Sequence, residues 1–198
     1  MKNMGLMNKI FVTFLLALIV AEAFVIFELY PAWQDAEQDL QQQPQEISLQ
    51  ENSAQVYFCP EDNCEQHLLE TLNLAKKSVH FLTYSFTLDD IEQKMVELHG
   101  NGVDVKGVFE DQENSEKYSA YFPMKKAGID VRIDANPALM HNKITIIDRE
   151  IVMTGSMNYS TNGNTRNNEN LIIIKSKELA AKYEGDFQKI YAESEVQN

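Results

Sequence analysis

From Ala54 onward the apolar residues keep changing period, from two to between three and four and back again, and few folds bury such a pattern. AQVYF, SVHFLTYSF, VDVKGVFE, IDVRID, KITIID, EIVMTGS and LIIIK are short runs rich in β-branched and aromatic residues, and each reads as a strand. Between them lie helical patterns. Leu68, Leu72, Ala75 and Val79 fall at helical spacing, as do Ile91, Met95 and Leu98 in LDDIEQKMVELHGNG, where Gly100 and the turn Asn101-Gly102 supply a stop. DQENSEKYSAYFPMKKAG reads as an exposed loop running into a helix, and a last helix sets Leu179, Tyr183, Phe187 and Ile190 on one stripe. Strands and helices in alternation predict an α/β sandwich, a mixed β-sheet flanked by helices on both faces.

The first 53 residues follow another logic. Lys2 and Lys9 precede an apolar run from Ile10 to Tyr30, long enough to cross a bilayer, which takes roughly 20 residues. Glu22 and Glu28 interrupt that N-terminal hydrophobic helix, and Ala21-Glu22-Ala23 has the small-x-small form of a signal-peptidase site. Residues 1–31 are therefore either a signal anchor or a cleaved signal peptide. Both readings put the remainder outside the cytoplasm, because Lys2 and Lys9 precede the run, whereas Asp35, Glu37 and Asp39 follow it with no further Lys or Arg until Lys76. Residues 32–53 are rich in Gln and acidic groups and read as a polar linker, with Pro44 ending any helix that continues out of the membrane. Residues 54–198 form the globular domain.

Cys59 and Cys64 are the only cysteines, in FCPEDNC. Either they close a short disulfide loop, as an oxidising compartment permits, or they remain two partly buried thiols. With His67 they also resemble C-x4-C-x2-H, but three ligands at loose spacing make a weak zinc signal.

The chemistry is concentrated in MHNKITIIDREIVMTGSMN, residues 140–158. If the strand begins at His141, alternation turns His141 and Lys143 to one face and Ile144, Ile146 and Asp148 to the other. An imidazole beside an ammonium is unsuited to an apolar core and suited to a phosphate. Gly155-Ser156-Met157-Asn158 follows, then a loop rich in Gly and Asn, then Asn168-Glu169-Asn170 leading into a strand. Hydroxyl, amide and carboxylate groups thus gather where strand ends and loops can converge on a ligand.

H-x-K-x4-D, six residues, then G-S-x-N resembles the signature of the phospholipase D superfamily. The YSFT and KKAGIDVR segments resemble its single-motif branch, which includes secreted bacterial endonucleases and mitochondrial cardiolipin hydrolase. The resemblance implies a metal-independent phosphodiesterase with no cofactor. His141 would attack phosphorus to give a phosphohistidine, Lys143 and Asn158 would hold the non-bridging oxygens with Ser156 close by, and Glu169 would bond the far nitrogen of the imidazole. Asp148 matches the motif, yet its odd spacing from His141 and Lys143 predicts a structural task, tying down backbone or a basic side chain behind the site. The leaving oxygen also needs an acid. His67, His80 and His99 lack a lysine two residues on, so no second copy of the motif is present, and the resemblance implies a homodimer whose His141 side chains share one active site.

Charge bears on the substrate. The chain carries 17 basic and 30 acidic residues, a net charge of −13, a poor footprint for duplex binding. A local groove could still be positive, lined by Lys125, Lys126, Arg132, Lys143 and Arg166. Tyr118, Tyr121 and Phe122 are candidates either for stacking on single-stranded bases or for packing on the sheet. A membrane tether favours phospholipid instead, and an acidic domain would accept a zwitterionic headgroup more easily than an anionic one. Nucleic acid and phospholipid both stand as candidate substrates, the former ahead. A non-catalytic binding module is disfavoured by the intact set His141, Lys143, Ser156, Asn158 and Glu169.

Overall fold

A computed structural model describes residues 47–49, 52–114 and 119–196. The chain divides into two compact units, Met1–Gln43 and Pro44–Asn198, and every described residue belongs to the second. The signal or anchor reading of residues 1–31 and most of the polar linker lie outside the described residues. Among the described residues no helix is long and apolar enough to cross a membrane.

Eight strands form one mixed sheet. They are β1 (Ile47–Leu49), β2 (Asn52–Cys59), β3 (Ser78–Thr83), β4 (Asp104–Phe109), β5 (Asp130–Ile133), β6 (Lys143–Ile147), β7 (Ile151–Gly155) and β8 (Glu169–Lys175), in the order β1-β2-β8-β7-β6-β3-β4-β5. β3 pairs in parallel with β4, and β4 with β5; every other pairing is antiparallel. The sheet therefore starts at Ile47, inside the segment read as linker, because residues 47–49 pair with the first residues of β2.

One face of the sheet is covered by α1 (Cys64–Leu72), α2 (Asp89–Gly100) and α4 (Tyr121–Lys126), which bury Leu68, Leu72, Ile91, Met95, Tyr121 and Met124 in the larger core. The stripe Ile91, Met95, Leu98 is the buried face of α2, as its spacing predicts. The stripe read into α1 ends early, since the helix stops at Leu72 and Val79 lies in β3. Two short helices, α3 (Asp111–Asn114) and α5 (Thr161–Thr165), sit in the connections.

The other face is covered by α6 (Lys177–Glu193), whose N-terminus is capped by the Ser176 hydroxyl accepting the Leu179 N–H. Its buried stripe is Ala180, Glu184, Phe187 and Tyr191, rotated from the expected Leu179, Tyr183, Phe187, Ile190. Glu184 is the cause. Its carboxylate is buried because His80 Nδ1 lies 3.0 Å from both oxygens and Gln188 and Arg149 donate to it. A hydrophobic pattern passes over a glutamate whose partners lie far away in sequence.

Candidate active site

β6 supplies the frame. Ile144 and Ile146 face α6, whereas Thr145 and Ile147 face the larger core, and the whole strand is buried. It opens at Lys143, so His141 precedes the strand instead of lying in it. The two side chains are nonetheless brought together, by Tyr84, which follows β3. The His141 and Tyr84 ring centroids are 4.5 Å apart, and Lys143 Nζ sits 4.7 Å from the Tyr84 centroid. Lys143 is 6% exposed and also donates to the carbonyl of His141 at 3.0 Å, whereas His141 itself is exposed. A buried ammonium facing an accessible imidazole is suited to an anion approaching from solvent.

The approach of the chain to His141 is fixed from below. Glu110, at the end of β4 and 3% exposed, accepts the Met140 N–H at 2.7 Å and the Gln112 N–H at 3.3 Å. Tyr84 and Glu110 were not among the site residues that spacing singled out. Neither lies near the motif in sequence, and only the pairing of β3 with both β6 and β4 brings them alongside it.

The opposite wall is the turn after β7. Gly155 adopts φ +148°, and a Cβ there would lie 2.2 Å from the carbonyl oxygen of Asn170, so only glycine allows β8 this close. That approach lets the N–H groups of both Ser156 and Met157 donate to the Asn170 carbonyl. The Ser156 hydroxyl donates to Glu169 Oε2 in a short hydrogen bond and accepts from the Asn170 backbone N–H at 3.1 Å. Asn167 Nδ2 donates to the other Glu169 oxygen at 3.1 Å. Within the single chain Glu169 is held by Ser156 and Asn167, and the Ser156 hydroxyl is already engaged with β8. Asn158 Oδ1, an acceptor, is buried with no hydrogen-bond partner among the described residues.

Asp148 stands apart. It lies beyond the far end of β6, whose span from Lys143 to Ile147 is about 13 Å, and its carboxylate accepts the backbone N–H groups of Lys76, Lys77 and Ser78 at 2.9, 2.7 and 2.8 Å. Asp148 and Arg149 have φ of +54° and +56° in the turn joining β6 to β7. The structural task expected of Asp148 is what the hydrogen bonds display, although the reason is a turn and not regular strand alternation.

The other histidines do not reach His141. His67 stacks on Tyr57, with centroids 3.6 Å apart, His80 is buried against Glu184 and Phe187, and His99 lies on α2 near Gly128. Of the candidates for a basic groove, Arg132 is engaged away from Lys143. Arg132 lies on edge strand β5, donates to the Tyr191 carbonyl at 2.9 Å and stacks on its ring, three strands from β6. Tyr121 is wholly buried in the core while Phe122 is 52% exposed; Tyr118 lies outside the described residues. Cys59 and Cys64 form a disulfide, which removes both thiolates from the C-x4-C-x2-H reading.

A cleft of about 500 Å³ opens beside His141, lined also by Asp134, Asp186, Lys189 and Glu193. Burial pushes the Asp134 carboxyl above its ordinary range, the Asn136 N–H opposes the rise, and the charges of Glu110 and Glu193 add to it.

Comparison with known proteins agrees with this geometry. Residues 68–191 match the family described as "Cardiolipin synthase, PLD-like domain". The chain is 31% identical over 135 residues to a phospholipase D of Rickettsia typhi, covering 68% of this chain and 66% of that one. It is 30% identical over 141 residues to a mitochondrial cardiolipin hydrolase of Chlamydomonas reinhardtii, covering 67% and 63%. The phospholipase D family member Nuc from Salmonella typhimurium superposes with a TM-score of 0.70 at 31% identity, over 75% of this chain and 99% of Nuc. The chain thus spans about two thirds of the length of the first two relatives.

Proposed function

The chain belongs to the phospholipase D superfamily of hydrolases, and from that premise we propose a metal-independent phosphodiesterase that works through a phosphohistidine on His141, with nucleic acid as the favoured substrate. The observation that carries the reading is the pairing of an exposed imidazole with a buried ammonium across one tyrosine ring. The His141 nitrogen attacks phosphorus, forming the P–N bond as the P–O bond to the leaving group breaks. Lys143 offsets charge on the non-bridging oxygens, and Asn158, through the N–H donors of its amide, is the second candidate contact for them. Water then attacks the phosphohistidine and restores the imidazole.

The proton for the leaving oxygen has no donor imidazole near His141 among the described residues, and His141 is exposed at the surface. A second copy of the chain placing its own His141 across the phosphate would supply one, giving a two-fold homodimer with a shared site. An open surface cleft suits a polymer whose chain continues beyond the reacting phosphate in both directions. The N-terminal apolar run supports a location outside the cytoplasm, at the membrane or secreted after cleavage.

A second reading, hydrolysis of a phospholipid headgroup, is favoured by the carboxylates of Asp134, Asp186 and Glu193 beside His141, which repel a polyanion and suit a cationic headgroup. The deciding experiment incubates the full chain with single-stranded DNA, RNA, duplex DNA and phosphatidylcholine vesicles in EDTA. Cleavage of nucleic acid, lost in His141→Ala, is expected. Cleavage of lipid alone would reverse the order of the two readings, and loss of all activity in EDTA would contradict the mechanism.

A further inference from the structure

The Cys59–Cys64 disulfide is buried at both ends, 1% and 0% exposed, and the phosphodiesterase chemistry gives it no part. Its surroundings do. Cys59 is the last residue of β2 and pairs with Glu169, the first residue of β8. Its sulfur lies 3.7 Å from Sδ of Met157, the residue between Ser156 and Asn158. Cys64 opens α1, and the next residue, Glu65, is gripped twice by Asn164: the Glu65 N–H donates to Asn164 Oδ1 at 3.0 Å, and Asn164 Nδ2 donates to Glu65 Oε2 at 2.8 Å. Asn164 is 7% exposed and follows Gly163, where a Cβ would meet the Asn158 carbonyl oxygen at 2.4 Å. One cysteine therefore abuts the Ser156–Asn158 turn from β2, and the other holds, through Glu65 and Asn164, the short helix packed against the Asn158 backbone.

We propose that the Cys59–Cys64 disulfide is a positioning element of the active site, locking the end of β2 to the start of α1 so that Ser156, held by Glu169, and Asn158 are presented together to the substrate phosphate. The crosslink itself lies outside the reacting atoms. It matters because a turn hydrogen-bonded to β8 and packed against α5 shifts as a unit when its two supports separate. The proposal rests on the phosphodiesterase reading for its consequence in catalysis, but its structural half stands without it.

The test compares the full chain in three forms: disulfide intact, reduced with a phosphine, and the double variant Cys59→Ala/Cys64→Ala. Hydrogen exchange is followed by peptide. Faster exchange confined to residues 155–164 and 169–171 is expected, with β3 and β6 as protected as before. Unchanged exchange in 155–164, or a loss of protection spread evenly over the sheet, would overturn the positioning role. On a small chromogenic phosphodiester, KM and the inhibition constant for inorganic phosphate should rise roughly tenfold, as loss of one well-placed phosphate contact implies, with kcat changing less. Equal kinetic constants in all three forms would also overturn it. A fully oxidised protein that hydrolyses no diester would instead remove the phosphodiesterase reading, leaving the exchange data to judge the disulfide.

Discussion

The carboxylate of Asp148 accepts the backbone N–H of Ser78 at 2.8 Å, and with the Lys76 and Lys77 N–H groups it closes the start of β3 over the turn between β6 and β7. The third letter of the H-x-K-x4-D motif is thus spent on the sheet. Asp148→Asn keeps one acceptor oxygen and tolerates φ +54°, but loses the charge-assisted bonds. It should cost about 1–3 kcal/mol of stability while kcat per folded molecule stays near wild type, as thermal unfolding and an active-site-normalised assay would show. A folded, dimeric variant without activity would return Asp148 to the chemistry.

Tyr84 links the two groups proposed to face the phosphate. Tyr84→Leu removes the ring from beneath both His141 and Lys143, and a cation–π contact of about 0.5–2 kcal/mol predicts a kcat/KM lower by roughly threefold to thirtyfold. Tyr84→Phe keeps the ring and should retain most activity. Steady-state kinetics of the two variants side by side decide it; equal losses would mean that the ring is not what matters.

Ser156 and Glu169 should behave as one unit, since the serine hydroxyl donates to Glu169 and accepts from the Asn170 N–H. Ser156→Ala and Glu169→Gln are expected to lower kcat/KM by similar factors, and the double variant to be little worse than either. Additive losses would show that Glu169 has a task independent of Ser156, and a shifted pH profile in Glu169→Gln alone would return it to the imidazole of His141.

Acid sensitivity should reside behind the sheet. Burial alone would raise the Glu184 carboxyl, but the hydrogen bonds from His80 and Gln188, with the charges of His80 and Arg149, together hold it below its ordinary value. A carboxyl depressed in the folded state stabilises the fold above its unfolded pKa of about 4.3, and this contribution disappears as pH falls through the folded value. Thermal unfolding of the wild type should therefore drop steeply below about pH 4.5, and Glu184→Gln, weaker at neutral pH, should show a shallower slope there. Parallel slopes would place the acid-labile group elsewhere.

How far the sequence reaches can be judged from particular residues. The stripe on α2 and the alternation of strands and helices follow from periodicity, because burial there is purely apolar. The register of α6 does not, because Glu184 is buried by His80, 104 residues away. The motif drew attention to His141, Lys143, Ser156, Asn158 and Glu169, but their partners are invisible locally. Tyr84 and Glu110 arrive through strand order, and Glu169 turns to Ser156 through the close approach that Gly155 permits. Aromatic spacing could not separate Tyr121, in the core, from Phe122, in solvent, since one helical step divides them.

A shared active site makes a quantitative demand on subunit mixing. In the proposed dimer each site uses two His141 side chains, one as nucleophile and one as acid, because the described residues offer His141 no other imidazole. When wild type and His141→Ala chains are unfolded, mixed and refolded together, only dimers with two wild-type chains should retain full activity. Total activity then follows the square of the wild-type fraction, so an equal mixture keeps about a quarter, given random pairing of the two-fold dimer. A linear dependence, or full activity at concentrations where sedimentation finds only monomer, would mean that one chain carries a complete site, and the source of the leaving-group proton would have to be sought within it.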